Sequence, residues 1–384
     1  MELKKLSDIC VVQSGGTPSR SKQEYWNDGN IPWVKISDFD GKYLTKTEEY
    51  ITEQGLQGSS AKLFKKGTIL YTIFATLGEV CILDIDATTN QAIAGLTLVD
   101  ENIIKDYLYY YLTSLKQTVN EIGRGVAQNN INMSILKNMP IPIPPKEEQI
   151  NIVLELDRIS SLITARREQL AKLDELVKSR FIEMFGDQRT NPFGWDMVTI
   201  GDIATEVRYG TSRPAVEGGK YPYLRMNNLT YEGYLDLTDL KYIDIPDNEI
   251  EKCVVRKGDV LFNRTNSVEL VGKTCVYNLD YDMIIAGYII RVRIDDRMLS
   301  VVLSNYLNST VLKEQLRSMA KGAVNQANIN AQELQSIPIY LPPIDLQYEF
   351  VAFVEQIDKS KFEIQKSLEK LETLKKALMQ KYFG

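Results

Sequence analysis

Two loop regions hold most of the side chains whose types and spacing could do chemistry, and that chemistry is binding. Histidine is absent from all 384 residues, which removes His-dependent triads, His-ligated zinc and the commonest general acid–base group. Gly15-Gly16-Thr17 resembles a phosphate loop only loosely, because it lacks the Gly-Lys-Ser/Thr ending and a preceding parallel strand; it reads as a flexible turn. Asn191-Pro192-Phe193 is one proline short of the Asn-Pro-Pro-Phe motif of amino-methyltransferases and follows a helix end directly, so it reads as an inter-domain turn. Cys10, Cys81, Cys253 and Cys275 have no metal-like spacing and read as buried, reduced thiols. The carboxylates form no acidic pair repeated at a spacing suited to metal or acid–base work. The sequence thus offers no active site, no cofactor site and no metal site.

The loops offer more. Between Arg208 and Arg225 the basic residues Arg208, Arg213, Lys220 and Arg225 face one acid, Glu217, and are interleaved with Tyr209, Tyr221, Tyr223, Asn227 and Asn228. An equivalent early loop carries Arg20, Lys22, Tyr25, Trp26, Trp33 and Lys35. Asn263-Arg264-Thr265-Asn266-Ser267 follows an apolar run at the place where Thr72-Ile73-Phe74-Ala75-Thr76 follows an earlier one. Arg and Asn pair bidentately with guanine and adenine edges, and Lys, Ser and Thr suit phosphates. The candidate nucleic-acid-binding residues are Gly16, Thr17, Ser19, Arg20, Lys22, Trp26, Lys35, Ser37 and Thr76 early in the chain. Later they are Tyr209, Thr211, Ser212, Arg213, Arg225, Asn227, Asn228, Arg264, Thr265, Asn266 and Ser267. The overall net charge of −6 lacks the basic excess that usually marks such proteins. A repeated-domain protein-interaction scaffold without DNA specificity is the alternative.

The elements that must position these loops follow from periodicity. Runs at 68–74, 80–83, 260–262 and 284–294 are rich in β-branched and aromatic residues and bounded by Gly or Asp, which predicts strands. Helices are expected over 104–122 and 299–319. Long polar loops span 14–30, 38–53, 208–220 and 263–270, and such loops on a small scaffold more often carry recognition than stability.

Two longer helices are predicted. Ile152, Leu156, Ile159, Ile163, Leu170, Leu173, Val177 and Met184 recur at three- and four-residue gaps, a single apolar stripe. Pro144-Pro145 blocks extension backwards and Gly186 terminates. About 39 residues at 1.5 Å each make a rod of roughly 58 Å, a spacer. Adding 198 to each number lands on Pro342-Pro343, then Val354, Ile357, Lys361, Ile364, Leu368, Leu371, Lys375, Leu378 and Tyr382, ending at Phe383-Gly384. Two such helices in one chain should pair as a coiled coil, with Arg166 and Arg180 in one seam and Lys361 and Lys375 in the other.

The helices belong to a repeat of the whole chain. Leu6-Ser7-Asp8-Ile9 matches Ile200-Gly201-Asp202-Ile203, and Ile31-Pro32-Trp33-Val34-Lys35 matches Tyr221-Pro222-Tyr223-Leu224-Arg225. Lys66-Gly67-Thr68-Ile69-Leu70-Tyr71 matches Lys257-Gly258-Asp259-Val260-Leu261-Phe262, Cys81 matches Cys275, and Gln128-Asn129-Asn130-Ile131-Asn132 matches Gln326-Ala327-Asn328-Ile329-Asn330. The chain reads as α+β, two copies of a mixed globular part followed by a long helix. Hydrophobic content of 44% and charged content of 25% are those of an ordinary soluble protein. No signal peptide and no long apolar run are seen, so a cytoplasmic location is expected.

The ordered set resembles a known family. Gly15-Gly16-Thr17-Pro18-Ser19, Tyr25-Trp26, Ile31 to Asp38, Lys257 to Phe262, the Ile-Pro runs at 141–145 and 339–343 and the Glu147-Glu148-Gln149 helix start look like type I restriction–modification specificity (S) subunits. The resemblance implies target recognition domains at 1–143 and 187–341, separated by conserved spacer helices at 144–186 and 342–384 that form an antiparallel coiled coil. It implies a non-catalytic, cytoplasmic subunit that reads a bipartite, asymmetric site on double-stranded DNA. Two modification (M) subunits would carry S-adenosylmethionine and methylate adenine, and restriction (R) subunits would complete the nuclease; no membrane is involved. The second copy departs from the pattern, with Tyr221-Pro222-Tyr223-Leu224-Arg225-Met226-Asn227-Asn228 in place of the Ile-Pro-Trp-Val-Lys-Ile-Ser-Asp form.

Overall fold

The computed structural model describes residues 2–124, 131–320 and 327–384, with 122–124 as backbone only. Gln128, Asn129, Asn130 and Gln326 of the repeat lie outside the described residues. The chain divides into two compact units, Met1–Ala165 with Ser367–Gly384, and Arg166–Lys366.

The first unit is built on a five-stranded sheet in the order Cys10–Ser14, Ile93–Leu98, Ile69–Thr72, Val80–Leu83, Tyr43–Leu44. It is antiparallel except for the last pair. Ile69–Thr72 and Val80–Leu83 are buried throughout, which is why they read as unbroken apolar runs without alternation. A three-stranded sheet, Glu49–Ile51, Ile31–Val34, Thr88–Thr89, stands beside it.

The second unit repeats the plan. Ala204–Tyr209, Ile289–Ile294, Val260–Asn263 and Thr274–Val276 form one sheet; Lys241–Ile243, Tyr221–Leu224, Met283–Ile285 and Val254–Val255 form the other. Cys81 pairs with Leu70 as Cys275 pairs with Leu261, so the cysteine strand is indeed used twice. All four cysteines are buried, and burial pushes the Cys10 and Cys275 thiols up to about 12 and Cys253 up to about 11. Gly67 and Gly258 turn the chain into the central strands at φ +93° and +94°, a conformation in which a side chain is strained.

Three expected elements are broken. The run 284–294 is two strands in different sheets: Met283–Ile285 pairs with Tyr221–Leu224 and with Val254–Val255, and Ile289–Ile294 lies between Ala204–Tyr209 and Val260–Asn263. Both halves are buried, so hydrophobicity alone hid the turn at Ala286-Gly287-Tyr288. The helix over 104–122 divides into Lys105–Ser114 and Lys116–Arg124. The helix over 299–319 divides into Ser300–Asn308 and Thr310–Met319, because the Ser309 hydroxyl caps the second by accepting the Leu312 N–H at 3.2 Å.

The long helices span Lys146–Phe185 and Ile344–Phe383, 40 residues each. They run in opposite directions. In the first unit Ile152, Val153 and Leu156, near the start of the central helix, pack with Leu378, Met379, Tyr382 and Phe383, at the end of the C-terminal one. In the second unit Leu173, Val177, Phe181 and Phe185 pack with Phe350, Val354 and Ile357, the Phe350 ring lying 5.4 and 5.3 Å from those of Phe181 and Phe185. Full burial of such side chains contributes roughly 1.5–3 kcal/mol each. Ile159, Ile163 and Leu368 are buried, and Leu170, Ile364 and Leu371 are half-buried, so the apolar stripe is the covered face. Of the polar seam residues, Lys361 bonds Asp174 and the Tyr234 hydroxyl, Arg180 lies over the Phe353 ring, and Arg166 bonds Gln169.

Each globular part is tied to the segment entering its helix, and the first is tied to the central helix a second time. Glu2–Lys5 pairs with Pro140–Ile143 and Asp196–Thr199 with Pro338–Leu341, so a strand from the beginning of each copy holds the segment entering its helix. Lys42 lies 2.7 Å from Asp106 and 2.6 Å from Asp157 of the central helix, and the Tyr110 hydroxyl donates to the same Asp157 at 2.5 Å.

Candidate nucleic-acid interface

Both copies build their polar loops on one backbone frame. The Gly15 N–H donates to Ile93 and the Gly16 N–H to Thr89, each at 2.9 Å; in the second copy Gly210 donates to Ile289 at 3.1 Å and Thr211 to Ile285 at 2.9 Å. A side chain at Gly15 would collide with Thr89 and the Asn90 carbonyl, and one at Gly210 with the carbonyls of Ile285 and Ala286. Glycine is therefore required there for close backbone approach. An aromatic donor closes the frame in each case: Trp33 Nε1 donates to the Gly16 carbonyl at 3.1 Å, and the Tyr223 hydroxyl lies 3.2 Å from the Thr211 carbonyl and 3.0 Å from that of Arg213. The cation two residues on is fixed alike. The Lys35 N–H donates to Asp38 Oδ2 at 2.7 Å and the Arg225 N–H to Asn228 Oδ1 at 2.8 Å, so the Asp-to-Asn departure of the second copy keeps the same acceptor.

In the second unit this frame surrounds a cleft of about 560 Å³ lined by Thr211, Ser212, Arg213, Arg225, Asn227 and Arg264, all expected from sequence, together with Tyr223 and Ala286-Gly287-Tyr288. Tyr209 stands beside it, with the Arg264 guanidinium 4.8 Å from its ring centroid. The other expected residues do internal work. Asn228 is 2% exposed and donates to the Asp236 carbonyl at 2.8 Å. Asn266 donates to Asn263 Oδ1 at 3.0 Å and accepts the Ser267 N–H at 2.9 Å, while the Thr265 hydroxyl donates to Asn328 at 3.0 Å.

In the first unit Arg20 lies 3.6 Å over the Trp26 ring and 4.8 Å from that of Trp33, and the two rings meet edge to face at 5.0 Å. Thr17 bonds Gln91, the Ser19 carbonyl accepts the Trp26 Nε1–H at 3.1 Å, and Lys22 bonds the Tyr25 hydroxyl at 2.9 Å. Ser37 and Thr76 are exposed, Thr76 on a separate turn next to Ala75, which has φ +62°.

Sequence reasoning missed the acids that hold these cations. Glu49 lies 2.6 Å from Arg20 and 2.9 Å from Lys35; burial alone would raise its carboxyl, but those two hydrogen bonds outweigh it and hold the group below its ordinary value. Glu249 grips Arg213 through two bonds of 3.0 and 2.7 Å, and Asp239 lies 2.7 Å from Arg225. Both carboxyls are held below their ordinary values, Glu249 by Arg213, and Asp239 by Lys241 and then Arg225. These acids sit well along the chain from their partners, so no local pattern announces them. Tyr288, 52% exposed at the cleft edge, was hidden in the run read as one strand.

Fold and loop frames together define a tandem two-domain protein with paired long helices and two polar loop sites on one repeated frame. The chain belongs to the family described as type I restriction modification DNA specificity domain, which matches residues 1–175 and again 192–376. The type I restriction enzyme MjaIX specificity subunit of Methanocaldococcus jannaschii is 31% identical over 59% of this chain and 58% of that protein. A type I restriction enzyme specificity subunit of Escherichia coli is 30% identical over 47% of this chain and 46% of that protein. The chain thus matches about half the length of these relatives. In fold, it resembles a chain from a structural study of complex assembly and conformational transition of the type I R-M system, with TM-score 0.57 and 23% identity over 100% of this chain and 97% of that one. Among the described residues no helix is long and apolar enough to cross a membrane.

Proposed function

We propose that this chain is the DNA-reading, non-catalytic subunit of a cytoplasmic type I restriction–modification complex. Each globular copy reads one half of a bipartite, asymmetric site on double-stranded DNA, and the paired helices set the gap between the halves. Two modification subunits bring S-adenosylmethionine and the methyl-transfer chemistry, and restriction subunits bring cleavage.

One observation carries this reading: the same backbone frame, closed by Trp33 in one copy and Tyr223 in the other, presents different cationic, aromatic and amide side chains. A conserved frame with divergent readers is what two unlike half-sites require. Arg and Asn on such loops read base edges, and neighbouring Lys, Ser and Thr position the phosphates. Pairing of Arg20, Lys35, Arg213 and Arg225 with acids keeps the free surface from binding every polyanion, and is consistent with a chain of net charge −6.

The test is reconstitution. The purified chain should neither methylate nor cut DNA, with or without S-adenosylmethionine. Addition of its modification partner should produce methylation at two modification subunits per chain. Methyl transfer by the chain alone, from a preparation free of that partner, contradicts the assignment.

A further inference from the structure

We infer that Arg264 reads a guanine in the half-site bound by the second copy, and that the first copy has no counterpart to this contact. This rests on the DNA-reading function proposed above and concerns one base within it.

The backbone identifies the equivalent positions. The Arg264 N–H donates to the Tyr288 carbonyl at 2.9 Å, and the Arg264 carbonyl accepts the Ile329 N–H at 2.9 Å. In the first unit the Ile73 N–H donates to the Ala92 carbonyl at 2.8 Å, and the Ile73 carbonyl accepts the Ile131 N–H at 3.0 Å. Arg264 therefore occupies the place of Ile73, and Tyr288 that of Ala92. Tyr209 precedes Gly210 as Ser14 precedes Gly15, so it occupies the place of Ser14. Ile73 is 2% exposed and belongs to the core, whereas Arg264 lines the cleft. A Ser-Ile-Ala trio in one copy is a Tyr-Arg-Tyr trio in the other.

Three features make Arg264 a reader of a base edge. First, it is unneutralised. Arg213 and Arg225 in the same cleft are matched by Glu249 and Asp239, whereas among the described residues no carboxylate lies within ion-pair distance of Arg264. Its side chain makes a long 3.5 Å contact with the Gly287 carbonyl, and its buried Nε has no partner there. Second, it is oriented beforehand. The guanidinium faces the Tyr209 ring, and the Tyr209 hydroxyl is itself fixed by accepting the Ala331 N–H at 2.7 Å. Less side-chain freedom then remains to be lost on binding. Third, a guanidinium is a fork of donors, which matches the adjacent O6 and N7 acceptors of guanine and is opposed by the N6 donor of adenine. The exposed Tyr288 ring beside it offers an apolar face to the neighbouring nucleotide.

The test uses the full chain in complex with its modification partner. Sequencing of methylated bases first gives the wild-type site. Each guanine of the second half-site is then replaced in turn by 7-deazaguanine, which lacks the N7 acceptor, and binding is measured. One position should weaken wild-type binding about tenfold or more. The same replacement should cost the Arg264→Ala complex nothing further, and first-half-site discrimination should be unchanged in that complex. Arg264→Lys, which keeps the charge without the fork, should retain the salt dependence and discriminate guanine less sharply than wild type; it also carries the test should the alanine variant fold poorly. Equal weakening on all sequences with a reduced salt slope would make Arg264 a phosphate contact and overturn the inference. So would a second half-site without guanine. A wild-type complex with no site-specific methylation would instead overturn the DNA-reading function itself.

Discussion

Gln149 and Gln347 make the same three hydrogen bonds 198 residues apart. Gln149 accepts the Ile104 N–H at 2.8 Å and donates to the carbonyls of Asn102 at 3.2 Å and Pro144 at 2.9 Å. Gln347 accepts the Leu299 N–H at 2.8 Å and donates to the carbonyls of Arg297 at 2.9 Å and Pro342 at 2.8 Å. Both are fully buried in the first turn of a long helix, so each amide locks a globular domain to the helix it feeds. Gln149→Leu or Gln347→Leu strands one N–H and two carbonyls, at about 1–3 kcal/mol per unsatisfied buried group. Each change should lower stability by roughly 3 kcal/mol in urea unfolding, and a loss below about 0.5 kcal/mol would show that the lock is dispensable.

Glu249→Gln removes the acid that holds Arg213. On unrelated sequences the freed guanidinium should add one phosphate contact, steepening the salt dependence of that non-specific affinity by a log–log slope of about 1. Binding to unrelated sequences should tighten with it. An unchanged slope in titrations from low to moderate salt would place Arg213 away from the DNA.

The long helices and the duplication were legible because both are written in local periodicity and offset. The apolar stripe Ile152–Met184 needed no knowledge of its partner, and Pro144-Pro145 and Gly186 marked its ends. The candidate site was legible only as a list of cationic, polar and aromatic side chains. What holds each cation comes from elsewhere in the chain: Glu49 for Arg20 and Lys35, Glu249 for Arg213, Asp239 for Arg225. The buried Arg291 was invisible for the same reason. It sits opposite Leu261, as Gly95 sits opposite Leu70, and is matched to Glu206 at 2.7 Å, whereas the space over Gly95 is filled by the Phe64 ring. One backbone position thus accepts an ion pair in one copy and an aromatic ring in the other, a choice that propensity does not record.

Lys313 gives the second unit a pH dependence. Its amine is buried, donates to the Gly272 carbonyl at 2.7 Å and lies 5.0 Å from the Tyr231 ring centroid. Burial, with help from Arg317 and Lys273, pulls it down from 10.5 to about 7. The folded state therefore binds fewer protons here than the unfolded state between about pH 7 and 10.5, and stability contributed by this group rises with pH across that window. Lys313→Met should be more stable than wild type at pH 7, and the difference should shrink toward pH 10 by at most about 1.4 kcal/mol per pH unit. A constant difference between the two unfolding curves would contradict a shifted lysine.

Four residues inserted at Leu170 add about 6 Å of helix, comparable to two base pairs. Four is nearly one turn, so the stripe is only modestly rotated. The methylated motif should keep the bases of both halves and gain a longer gap. Altered bases with the same gap would contradict a spacer role for the helices.

The division of labour between the copies is tested most directly by sequencing methylated DNA from complexes of the full chain and its modification partner. One complex would carry Arg20→Ala with Lys35→Ala, the other Arg213→Ala with Arg225→Ala. The first pair should relax bases in one half of the motif only, the second pair in the other half only, with the gap unchanged in both. Changes in both halves from either pair, or an unchanged motif from both, would contradict the account.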